Sequence, residues 1–131
     1  MQGLQEIWEF PRIDYSWAAA GYQGAISSGD TTCGLLIGTA IAIGLRQGMG
    51  KECIPFEDKD ERDNAIAEVG AFYRDFLAEF GNTQCRNLIS LNMSVPEERK
   101  QYIEGQVYKD TCFKFFKFVM NRFIEQDKQG L

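Results

Sequence analysis

The stretch from Cys33 to Leu45, CGLLIGTAIAIGL, runs for 13 residues of small and apolar side chains relieved only by Thr39, and Arg46 closes it. A membrane-spanning helix needs about 18 or more apolar residues, so the run is expected inside a protein core. Gly34, Gly38 and Ala42 recur every fourth residue, which sets three small side chains on one stripe and lets another helix come close. Leu35, Ile37, Ile41 and Leu45 occupy the other faces. A helix apolar on nearly every face sits at the centre of its domain. Asp30 is the expected cap of this helix, Thr31 its start, and the glycines after Gln47 its end.

The rest of the 131-residue chain is long enough to wrap one such helix and too short for two cores. After an extended lead containing Pro11, residues 14–26 suit a helix with Trp17, Ala18 and Tyr22 on one face. Residues 58–80 read as a long amphipathic helix with Ile66, Val69, Tyr73, Phe76, Leu77 and Phe80 inward, stopped by Gly81. Asn82 caps a short helix through Leu91, and Ser94, Pro96 and Glu97 open another. From Asp110 to Gln126, Cys112, Phe116, Val119, Met120 and Phe123 form an inward stripe, with Phe115 and Phe118 beside it. The expected fold is an all-α, single-domain helical bundle with a buried Gly/Ala-rich central helix. Residues 1–27 are its lead and short helix, and residues 28–131 its cysteine-containing body.

The chain has no histidine, four cysteines and a net charge of −5. The missing imidazole removes Ser/His and Cys/His nucleophile pairs and histidine-bound zinc or haem. The acidic balance argues against a nucleic-acid partner. The amino terminus carries no basic segment ahead of an apolar one, so the sequence reads as cytoplasmic, where thiols stay reduced. That leaves the cysteines as the chemistry-bearing residues. Cys33, Cys85 and Cys112 each follow a capping residue by two or three positions, at Asp30, Asn82 and Asp110. A helix start favours thiolate, so these three are expected to be activated, although free cysteine also serves as a small core residue. Cys53, beside Pro55, stands apart in a connector.

The segments TTCGLLIGTAIAIGL, FYRDFLAEFGNTQCRNLI and KDTCFKFFKFV, in that order, resemble the family labelled by the cysteine pattern C-GCAxxG-C-C. Cys33, Gly34, Gly38, Cys85, Arg86, Leu88 and Cys112 fall on the family's positions. The label's first cysteine has no counterpart ahead of Cys33, and Thr32 stands where it writes glycine. The resemblance implies an all-helical protein whose redox role rests on its cysteines.

From this follows the expectation of a thiol-based redox or electron-transfer accessory protein. Cys33, Cys85 and Cys112 would converge, either to exchange a disulfide or to hold iron–sulfur or another soft metal as thiolates. Gly34 and Gly38 would allow a cofactor close approach, and Arg86 would hold a thiolate or an anionic ligand. The partners expected are a redox protein and a second copy of the chain, paired through the phenylalanines of the last helix. The alternative is a non-catalytic helical module with core cysteines.

Overall fold

The first helix of the computed structural model occupies the lead that the sequence suggested was extended; the structure describes residues 1–22, 28–51 and 57–130. Helix α1 (Gln2–Ile7) buries Leu4, and Ile7 and Trp8 pack beside it, the i, i+3, i+4 spacing of a helical face. A 3-10 turn (Ile13–Ser16) and the short α2 (Trp17–Ala20) follow. Trp17, Ala18 and Tyr22 face outward, not onto the core. Residues 23–27, which would complete the expected helix, lie outside the described residues.

The central helix is α3 (Gly34–Gln47), with Leu36, Gly38, Thr39, Ala42 and Ile43 buried. Its small-residue stripe does receive a close neighbour. A Cβ on Gly38 would sit 3.1 Å from the Met1 nitrogen, so α1 fills the space that the sequence offered to a cofactor. The long α4 (Lys59–Phe80) ends at Gly81, whose φ of +73° is the left-handed cap that glycine adopts without strain. Short helices α5 (Cys85–Ile89) and α6 (Pro96–Glu104) follow. A single π-helical turn (Tyr108–Cys112) then runs directly into α7 (Phe113–Lys128). No strand occurs among the described residues; an isolated antiparallel bridge joins Thr32 to Gln84. The fold is all-α.

The long helices have the expected spans but are rotated from the expected faces. On α4, Ala65, Val69, Phe72, Phe76 and Phe80 turn inward, while Ile66 is 63% exposed. Tyr73 also sits at the rim, where its hydroxyl shares a hydrogen bond with the Thr83 hydroxyl at 2.8 Å. On α7 the buried ring is Phe115 rather than Phe116. Phe115 packs on Phe76 and Phe80 at 5.8 and 4.8 Å between ring centroids, and Phe118 meets Phe80 at 5.3 Å. Two of the phenylalanines expected to face a second copy, Phe115 and Phe118, therefore pack against α4. At the other end, Trp8 meets Phe123 edge-on at 5.4 Å, and Gly3 admits Met120 so closely that a Cβ there would fall 2.9 Å from its methyl carbon. The amino-terminal segment folds back over the last helix.

Candidate functional site

Cys33 and Cys85 each follow a β-branched threonine segment, Thr31–Thr32 before Cys33 and Thr83 before Cys85. Threonine favours extended backbone, and the two segments lie antiparallel around the Thr32–Gln84 bridge. The Cys33 amide donates to the Thr83 carbonyl at 2.8 Å, and the Cys85 amide to the Thr31 carbonyl at 3.0 Å. Side chains alternate along extended chain, so Cys33 and Cys85 project from the side opposite Thr32 and Gln84. Each segment then turns into a helix, with Cys33 at the N-cap of α3 and Cys85 the first residue of α5.

Asp30 is not the cap of α3. Its carboxylate is 2.5 Å from the Arg86 guanidinium, and the Arg86 amide donates to the Gly29 carbonyl at 2.9 Å. The Arg86 guanidinium also donates to the side-chain oxygen of Asn92 at 3.0 Å. Arg86 thus braces α5 against the entry to α3, with a carboxylate and an amide as its partners. Asn82 does serve the start of α5, its side-chain oxygen accepting from the Thr83 and Gln84 amides, each at 2.9 Å. Ahead of α6 the same job falls to Asn92, which accepts from the Ser94 amide at 3.0 Å, while Glu98 accepts from the Asn92 amide at 2.5 Å.

Cys112 does not begin a helix. Its backbone is already helical, with φ −64° and ψ −29°, and it closes the π-turn within a continuous helical run. The sequence signal, an acid two residues earlier, was not a cap. Cys112 and Cys85 both pack against a small cluster of Ile89, Leu91 and Met93, together with Tyr102 and Val107. The Tyr102 hydroxyl lies 3.6 Å from the Cys112 sulfur, a contact that no local sequence signal announces.

The three sulfurs act on one another. Burial pushes the Cys33 thiol up; the Leu35 and Leu36 amides pull it partly back, and Cys112 raises it further. Burial, then Cys33 and Cys112, push Cys85 up to about 11. Helix-start activation therefore loses to desolvation at both positions, and the thiol form is favoured, contrary to the sequence expectation. The described cysteines are free thiols, and no pair lies at disulfide distance. Among the described residues, no group of three or more Cys, Asp or Glu side chains is arranged to hold a metal ion. Cys53 falls outside the described residues. No described helix is long and apolar enough to cross a membrane.

The model of the family described as "Putative redox-active protein (C_GCAxxG_C_C)" matches residues 1–125. No curated protein and no solved structure gave a match.

Proposed function

The chain belongs to the C_GCAxxG_C_C family, and on that footing we propose that it is a thiol-based redox protein in which Cys33, Cys85 and Cys112 exchange with a disulfide of a redox partner. The observation that carries this reading is that backbone hydrogen bonds pair the Cys33 segment with the Cys85 segment, while Cys85 and Cys112 pack on one apolar cluster. Three cysteines from distant parts of the chain are thereby linked through Cys85. Burial favours the protonated form of Cys33 and Cys85, which are then slow to oxidise unselectively, since the thiolate is the nucleophile. The π-turn that carries Cys112 holds one residue more than an α-turn does, a feature frequent at functional sites. A reducing compartment, the cytoplasm, suits such a site.

In one turnover, two thiols of the trio give up two electrons and two protons and become one disulfide. The partner's disulfide accepts them and becomes two thiols. To test this, the reduced full chain is incubated with a small-molecule disulfide, the remaining thiols are alkylated, and the products are mapped by mass spectrometry. The expected product joins two of Cys33, Cys85 and Cys112, with two reagent thiols released for each bond formed. Three thiols that stay free in the folded chain would overturn the proposal. Uptake of iron or zinc by anaerobically purified protein, with release of protons, would instead assign the trio to thiolate ligation.

A second reading, a helical module that pairs with another copy, retains one observation. Phe113 and Phe116 stack at 5.8 Å on the outer face of α7, 47% and 38% exposed. Inert thiols in the exchange experiment favour it.

A further inference from the structure

Only one of the described cysteine sulfurs has a side-chain hydroxyl within hydrogen-bonding distance, that of Cys112, 3.6 Å from the Tyr102 oxygen. Tyr102 lies on the last turn of α6, and Cys112 ends the π-turn that follows. Both pack against Ile89, Leu91 and Met93. The Tyr102 ring is steadied further by the Tyr108 ring at 6.1 Å. The hydroxyl and the sulfur are thus held from two separate elements around one apolar floor, so their approach is a product of packing and not of a flexible surface side chain.

We propose that Tyr102 is a positioning residue whose hydroxyl donates to the Cys112 sulfur and makes Cys112 the first of the three thiols to attack a partner disulfide. The proposal rests on the thiol-exchange reading above and names the order of events within it. Burial first, then the hydrogen bond with Cys112 and the nearby sulfurs of Cys112, Cys85 and Cys33, push the Tyr102 phenol well above its ordinary range. The phenol therefore keeps its proton across neutral and mildly alkaline pH and is available as a donor throughout. A donor aimed at sulfur stabilises the thiolate over the thiol. Cys85 has no such donor and feels both neighbouring sulfurs. Cys33 is buried deepest of the three, in the wall of the main core.

The exchange then runs in two steps. Cys112 gives its proton to solvent, and its thiolate attacks one sulfur of the partner disulfide. That S–S bond breaks with its electron pair on the leaving sulfur, which takes up a proton. A second thiol of the trio, Cys85 by its shared packing with Cys112, loses its proton and attacks the Cys112 sulfur. The remaining partner sulfur leaves as a thiol, and an internal disulfide stays behind. Through the first step the Tyr102 proton remains on oxygen.

The test is timed alkylation of the reduced full chain with iodoacetamide over a series of pH values, each cysteine followed separately by mass spectrometry. In the parent, Cys112 is expected to label before Cys85 and Cys33. Tyr102→Phe keeps the ring and removes the hydroxyl. It should slow Cys112 about tenfold, the order of effect of one hydrogen bond to a charged group, and move the pH midpoint of Cys112 labelling upward while leaving Cys85 unchanged. Tyr108→Phe should leave the order and the midpoint as they are. An unchanged Cys112 rate in a folded Tyr102→Phe chain would overturn the proposal, as would Cys85 or Cys33 labelling first in the parent, a result that needs no variant to fold. If the disulfide reagent still oxidises the trio, the exchange reading outlives that failure. If it does not, the exchange reading falls by its own experiment.

Discussion

The described residues form two apolar clusters of different character. The larger is built from rings, with Phe72, Phe76, Phe115 and Phe123 buried together beside Leu4, Leu36, Ala42 and Ile43. The smaller holds only Ile89, Leu91 and Met93, lined by Cys85, Cys112, Tyr102 and Val107. Cys33 belongs to the first, and the other two described cysteines to the second. The rings supply the large buried area that decides whether the chain folds. The second cluster is small, soft and half open, and its polar atoms are a phenol and thiols. The large buried area and two of the three described thiols thus lie in neighbouring but distinct places, with Cys33 on the ring side of the backbone bridge at Thr32 and Gln84.

That division can be broken most forcefully at Phe76, which is fully buried and touches the rings of Phe72, Phe80, Phe115 and Phe118. Phe76→Ala should cost about 3–5 kcal/mol, read as a lowered urea midpoint. If the clusters are separate, the order of thiol labelling in the fraction that remains folded should not change. Ile89→Ala should cost less, about 2 kcal/mol, because the cluster Ile89 belongs to has only three buried members. It should nevertheless speed the labelling of Cys85. An Ile89→Ala chain with unaltered Cys85 reactivity would mean that this cluster does not shield the thiol.

The smallest effect is a pH dependence. Cys85 titrates higher in the folded chain, at about 11, than the ordinary thiol value near ~8.5. The fold therefore binds its proton more tightly than the unfolded chain does. This contribution is full below the ordinary value and is lost as the pH rises through the folded one. Cys33 shifts in the same direction. The urea midpoint should fall across that alkaline window, and Cys85→Ser should flatten the fall; an equal slope in both chains would place the thiol in water.

Helix positions were legible from capping residues, glycines and runs of apolar spacing, and the long helices ended where Gly81 and the Gln47–Gly48 junction suggested. The faces were harder to read, because α4 and α7 carry so many rings that several stripes fit the same period. What decides between Phe72 and Tyr73 is not spacing but the Tyr73 hydroxyl, satisfied at the rim by Thr83. The amino-terminal helix was hidden by its shortness, six residues, too few to stand out against Gly3 without the docking partner that α7 provides. Of the site, the places of Cys33, Cys85 and Cys112 in the family pattern were readable from the sequence, but the disulfide-distance approach it led one to expect is not found among them. The sign of the Cys33 and Cys85 pKa shifts was not readable either, since a cap is a local signal and desolvation depends on what the rest of the chain places overhead. Tyr102 reaches Cys112 through two turns of intervening backbone geometry, which no pattern of residue types encodes.

The bridge between Thr32 and Gln84 also bears on how the chain reaches this state. Most contacts of a helical protein are local and form early, but this one closes a loop containing the whole of α3 and α4, and loop closure must precede the contacts that reward it. Cys33 and Cys85 are thus brought together by a closure that spans α3 and α4, the two helices between them, and their nearness is a long-range product of the fold, unlike the contacts within each helix.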